Sequence, residues 1–144
     1  MGKVRNILQA KNQSPIFISP EDTVFEALEL MFEKNIGALL VMEKGEFIGI
    51  FTERDYARKV ILKGRASKEI LIREIMTESP ATVSSDNTIE DCMRLMTNHF
   101  IRHLPVIDNG KLVGIVSIGD VVKYIIEEQR FIIENMEHYI KGEV

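Results

Sequence analysis

Residues 14–56 and 79–121 carry one pattern twice, at an offset of 65 positions. The 43 aligned pairs need no gap, and thirteen are identical, among them Ser14/Ser79, Pro15/Pro80, Leu39/Leu104, Gly49/Gly114 and Asp55/Asp120. Further upstream, Val4-Arg5-Asn6-Ile7-Leu8 echoes Ile72-Arg73-Glu74-Ile75-Met76. The first copy has about three extra residues there, around Lys11-Asn12-Gln13. A chain that repeats itself over this length is built from two like supersecondary units, each of which needs a neighbour to cover it.

Each copy has the same internal order. A short β-prone piece comes first, Ile16-Phe17-Ile18 or Ala81-Thr82-Val83. An amphipathic helix follows. Its stripe is Val24, Ala27, Leu28, Met31 and Phe32 in the first copy and Ile89, Cys92, Met93 and Met96 in the second. Two strands come next, Ala38–Met42 with Phe47–Phe51 and Leu104–Ile107 with Leu112–Val116. Lys44-Gly45 and Asn109-Gly110 join them, pairs suited to turns with positive φ at both central residues. A second helix starts near Glu53 and near Ile118. The expected fold is α+β: a tandem pair of β-α-β-β-α units packed through their sheets. The expected division is 1–66, 67–128 and a C-terminal helix extension over 129–144.

Composition removes several classes of function. With 144 residues the chain is long enough to bury a core without staples. A formal charge of −4 argues against a nucleic-acid footprint. No apolar run reaches membrane-spanning length, and the first residues lack the apolar stretch of a signal peptide. The single cysteine, Cys92, cannot form an intrachain disulfide, so the cytoplasm is the default location. No cysteine–histidine cluster has metal-ligand spacing, and no nucleophile or general base is legible, so neither a metal site nor catalysis is expected.

The motif that carries chemistry ends the second strand of each copy: Gly49-Ile50-Phe51-Thr52-Glu53-Arg54-Asp55 and Gly114-Ile115-Val116-Ser117-Ile118-Gly119-Asp120. Two readings stand. Thr52 or Ser117 can cap the following helix, with the Asp closing the capping box. The same geometry can present backbone N–H groups to an anion and a carboxylate to a ribose diol.

With this motif the chain resembles the CBS-domain pair, or Bateman module, named after cystathionine β-synthase. The resemblance spans about residues 1–130. It rests on the two Gly-Ile-x-Thr/Ser-x-x-Asp segments, on the run Ile101-Arg102-His103-Leu104-Pro105-Val106-Ile107-Asp108, and on the lead-in Ile75-Met76-Thr77. It implies a non-catalytic regulatory module. Clefts between the copies would take an adenosine derivative such as AMP, ADP, ATP, NAD(H) or S-adenosylmethionine. A homodimer and a regulated partner protein are also implied. By the resemblance, Asp55 and Asp120 bind ribose, and Thr52 and Ser117 supply hydroxyls. Ile36-Gly37-Ala38 and Ile101-Arg102-His103 with Leu104-Pro105 line the base and phosphate region. Phe17-Ile18 and Thr82-Val83 read the adenine edge. Which segment faces which Asp stays open. A ligand-independent dimerising scaffold is the alternative.

The copies differ. The second has Arg102 and His103 where the first has Gly37 and Ala38, and the first has Arg54 where the second has Gly119. Arg102 and His103 are either a phosphate anchor or surface residues at a strand entry. From Asp120 to Ile140 there is no Gly or Pro. Val122, Ile125, Gln129, Ile132, Met136 and Tyr139 recur at helical spacing, widened by Ile126, Ile133 and Ile140. Such a helix either folds back on its own domain or meets a second copy.

Overall fold

The computed structural model describes residues 2–142. In chain order the elements are α1 (Val4–Lys11), β1 (Phe17–Ile18), α2 (Val24–Lys34), β2 (Ala38–Glu43), β3 (Glu46–Thr52), α3 (Glu53–Lys59), a 3₁₀ turn (Ile61–Lys63), α4 (Ile72–Ile75), β4 (Thr77–Glu78), α5 (Ile89–His99), β5 (His103–Asp108), β6 (Lys111–Ser117) and α6 (Ile118–Ile140). The fold is α+β, two copies of one unit with a long final helix.

Both hairpins turn as the sequence expects, with positive φ at Lys44, Gly45, Asn109 and Gly110. Both carry a register irregularity at the matching place, between Val41 and Met42 and between Val106 and Ile107. The entry strands differ. Phe17 and Ile18 pair in parallel with Leu40 and Val41, whereas Ala81-Thr82-Val83 shrinks to one bridge from Val83 to Val106. Leu40 donates its N–H to the carbonyl of Ile16. Its counterpart is Pro105, which has no N–H to give, and the ladder stops there.

The sheets face each other across Ala38, Leu40 and Ile50, with Phe47, Leu112 and Ile115 packed against them. Burying Leu40 and Ile50 here contributes about 1.5–3 kcal/mol each. Each sheet packs its other face on helices, giving two further cores.

The lead-in helices cross. Val4 and Ile7 of α1 are buried in the second core, with Ile89, Cys92 and Val121. Ile72, Ile75 and Met76 are buried in the first, with Val24, Met31 and Phe51. The backbone bonds repeat the exchange. Val4 N–H donates to Asn87 and Ile89 N–H to Gly2, while Ile72 N–H donates to Asp22 and Val24 N–H to Ile70. Each core therefore takes its first helix from the other half of the chain.

That crossing gives the paired strand glycines a reason. A Cβ on Gly49 would lie 2.8 Å from the Thr77 carbonyl and 3.1 Å from the Met76 sulfur. A Cβ on Gly114 would lie 2.8 Å from Cδ2 of Leu8, the counterpart of Met76.

Two stripe expectations change. Phe32 is 90% exposed, because it stands at the edge of the α2 stripe, in the last turn, where the sheet does not reach it. The final helix does not fold back on its own domain. Val121 is buried and Ile125 half-buried against the second core, but every residue from Gln129 to Ile140 is exposed.

Candidate ligand cleft

Thr52 and Ser117 are N-caps with extended backbone, and each forms a reciprocal capping box with the Asp three residues on. The Asp120 carboxylate accepts the Ser117 N–H at 2.9 Å, and Ser117 Oγ accepts the Asp120 N–H at 3.1 Å. The capping reading thus holds in both copies. It engages one carboxylate oxygen, so the two sites differ in what holds the other.

At Asp55 both oxygens are engaged. Oδ2 accepts from the Thr52 N–H at 3.0 Å and from the Thr52 hydroxyl at 3.2 Å. Oδ1 accepts from the Thr77 hydroxyl at 2.9 Å and from Lys59 Nζ at 2.9 Å. Asp55 is the one charged residue buried among the described residues, at 6% exposure. Beside it Arg54 donates to the Phe100 carbonyl, tying the first copy's helix to the second copy.

At Asp120, Oδ2 takes the Ser117 N–H and Lys11 Nζ, the latter at 2.8 Å. No protein donor among the described residues reaches Oδ1. Lys11 also donates to the Ile115 carbonyl at 3.0 Å. Burial opposes the Asp120 charge, but the Lys11 ammonium and the Ser117 N–H outweigh it and hold the carboxyl below its usual range.

Asp120 opens onto a cavity of about 370 Å³ between the copies. The second copy provides His103, Val113, Gly114, Ile115, Ser117 and Asp120. The first provides Leu8, Lys11, Gln13 to Ile16, Asn35 to Ala38, and Leu40. The question of which segment faces which Asp has an answer here: Ile36-Gly37-Ala38 faces Asp120. A Cβ on Gly37 would lie 2.7 Å from Oε1 of Glu53 and 3.5 Å from the His103 ring, so a side chain here would have to displace Glu53. Burial is the main cause that lowers the His103 pKa, with Lys11 and Arg102 adding to it and Asp120 opposing. A wider depression of about 460 Å³ is lined by α6 alone, from Ile118 to Arg130, and has no second wall.

Of the residues singled out from sequence, Ile36, Gly37, Ala38, His103, Ser117 and Asp120 meet in this cavity. Thr52, Arg54 and Asp55 lie in the other copy's motif, with both Asp55 oxygens already taken. Arg102 is exposed outside the cavity lining, its carbonyl accepting the Ile118 N–H. Ile18, Val83 and Leu104 are core residues, and Pro105 is buried as well. Ile101 packs at the edge of the second core, Thr82 is exposed, and Phe17 is 47% exposed. The lining segment Gln13 to Ile16 runs into the entry strand and ends just before Phe17-Ile18, the pair assigned to the adenine edge. Lys11 belongs to no motif, and its one signal in the sequence is the three-residue excess in the first copy.

The crossed pair of like units, with a cleft shared between them, matches known proteins. A CBS domain profile matches residues 4–62 and again 72–127. The chain belongs to the CBS domain family. It is 38% identical over 148 residues to the CBS domain-containing protein CBSX3, mitochondrial, of Arabidopsis thaliana, covering 96% of this chain and 72% of that one. A signal-transduction protein with CBS domains from Burkholderia ambifaria has a solved structure 47% identical to it. The TM-score is 0.83, over 88% of this chain and 96% of that one. A CBS domain pair solved in complex with 5′-methylthioadenosine and S-adenosyl-L-methionine, from the protein MJ0100, is 25% identical. Its TM-score is 0.76, over 89% and 98% of the two chains. As a CBS domain pair the chain has the tandem repeat of this family. No described helix is long and apolar enough to cross a membrane. Among the described residues no group of His, Cys, Asp and Glu could hold a metal ion.

Proposed function

We propose that this CBS domain pair is a non-catalytic sensor that binds an adenosine derivative, of the AMP, ADP, ATP, NAD(H) or S-adenosylmethionine type, in the Asp120 cleft. One observation carries the reading. Asp120 keeps a carboxylate oxygen that no donor among the described residues reaches, at a cavity of about 370 Å³ walled by both copies. That volume is within the range of small-molecule sites. A ribose diol supplies the donors such an oxygen takes, and Ile16, Ile36 and Leu40 supply apolar surface for a base. The MJ0100 complex supports an adenosine ligand by likeness of fold. A ligand that touches both copies favours whichever relative packing fits it better, and a partner protein reads the difference. Cys92, buried as a free thiol, fits the reducing cytoplasm.

The assembly we propose is a homodimer through α6. Val122, Ile126, Ile133, Met136 and Ile140 are exposed by 47 to 78% and, with Gln129, step along the helix at the spacing of a heptad seam. A seam of that period is complementary to another like it, which commits the surface to a second α6. The alternative, a ligand-independent dimerising scaffold, is favoured by the same seam and by the two capping boxes.

Thermal unfolding with millimolar AMP, NADH or S-adenosylmethionine separates the two. Sensing requires at least one to raise the midpoint in a concentration-dependent way, since a ligand at a hundredfold its Kd stabilises by about 2.7 kcal/mol. A midpoint unmoved by all three leaves the scaffold.

A further inference from the structure

Lys11 stands where the duplication fails. It is the last residue of α1, which runs for eight residues, where its counterpart α4 runs for four. The extra turn brings Lys11 to the second copy's motif. There Nζ meets Asp120 and the Ile115 carbonyl, with a quarter of the side chain exposed and the residue on the cavity wall.

An ammonium has three N–H donors and no acceptor. Two of those on Lys11 are engaged, and no protein acceptor among the described residues takes the third. The cleft therefore sets an available donor of positive charge beside an available acceptor, Asp120 Oδ1. A ligand that satisfies both carries hydroxyls for the carboxylate and an anionic oxygen for the ammonium. His103, on the same wall, adds a donor or an acceptor according to its protonation. The other motif offers no such pair, because Lys59 and Thr77 close on Asp55.

Resting on the reading of the cleft as an adenosine site, we propose that Lys11 is its charge-selecting residue: the cleft takes adenosine bearing a phosphate in preference to neutral adenosine or cationic S-adenosylmethionine. An ammonium to phosphate bond is charge-assisted and stronger than a neutral one, while a sulfonium ligand meets repulsion from it.

The test is calorimetry of the full chain with AMP, adenosine and S-adenosylmethionine, for wild type, Lys11→Gln and Lys11→Arg. Wild type is expected to bind AMP about tenfold or more tightly than adenosine. Lys11→Gln should bring that ratio close to one, and Lys11→Arg should keep it. If Lys11→Gln does not fold, the salt dependence of wild type decides. AMP affinity should fall with added salt while adenosine affinity holds, because only the former contains an ion pair. An AMP to adenosine ratio unchanged in folded Lys11→Gln, or equal salt dependence for the two ligands, overturns the role of Lys11 and leaves the adenosine site intact. Failure of all three compounds to bind wild type at millimolar concentration overturns the site reading itself, and the selection with it.

Discussion

The hydroxyl of Thr77 donates to Oδ1 of Asp55 across 2.9 Å, although the two residues are 22 positions apart and belong to different halves of the chain. Thr77 arrives on the crossed lead-in, as part of β4, which pairs Thr77 with Ile50 at the edge of the first sheet. The bond closes an oxygen whose counterpart at Asp120 takes no protein donor among the described residues.

Thr77→Val removes that donor with little change of shape. Lys59 still faces the same oxygen, so the carboxylate is not stranded. The expected loss is about 1.5–3 kcal/mol, the scale of one hydrogen bond to a charged acceptor. Urea unfolding should show a lower midpoint with an unchanged slope.

The strand glycines should respond unequally to a methyl group. On Gly49 it meets the backbone carbonyl of Thr77, and on Gly114 the tip of the Leu8 side chain, each at 2.8 Å. A backbone in a sheet yields less than a leucine methyl. We expect Gly49→Ala to lose about 2–3 kcal/mol and Gly114→Ala about 1 kcal/mol or less. Leu8→Ala, which removes the clashing methyls, should make Gly114→Ala nearly neutral when the two are compared by thermal unfolding.

His103 makes stability depend on pH. Burial chiefly holds its pKa below the usual 6.5. Between that value and the lower folded one, the unfolded chain binds more protons, so stability rises with pH through that window. Its contribution is complete above about 6.5 and is lost as pH falls through the folded value. His103→Gln should flatten the change in unfolding midpoint between about pH 5 and 8. A slope as steep as that of wild type counts against this role for the imidazole.

The α6 seam makes a prediction about mass. Ile126 and Ile133 stand one heptad apart and are exposed by 50 and 57%. Glutamate at both places sets like charges across a paired seam. Sedimentation should find wild type at twice the chain mass and Ile126→Glu/Ile133→Glu at the chain mass, with the same helical content.

Much of the fold was legible because duplication doubles every weak signal. The hairpin turns, the capping motifs and the helix stripes each occur twice at one offset. What stayed hidden was relational. Linear order attaches Val4–Leu8 to the first copy, and only packing shows that α1 fills the second core. The candidate site divided in the same way. The repeated motif points to Asp120 and Ser117 and the family resemblance to His103 and Gly37, and all four line the cavity. The closure of Asp55 depended on Thr77 and Lys59, which carry no motif. Lys11 was visible only as an interruption of the repeat. Phe32 and the bridge at Val83 show the limits of periodicity, which does not know where a sheet ends or that Pro105 lacks an N–H.

The most direct test of the central claim, one adenosine-binding cleft per chain at Asp120, is the stoichiometry of AMP binding by calorimetry, in wild type and in Asp120→Asn. Asparagine keeps an oxygen for the Ser117 N–H, so the cap survives, and circular dichroism can verify the fold. The account predicts one AMP per chain in wild type and at least a tenfold loss of affinity in Asp120→Asn, about 1.4 kcal/mol or more. Two AMP per chain, or the same affinity in Asp120→Asn, contradicts it.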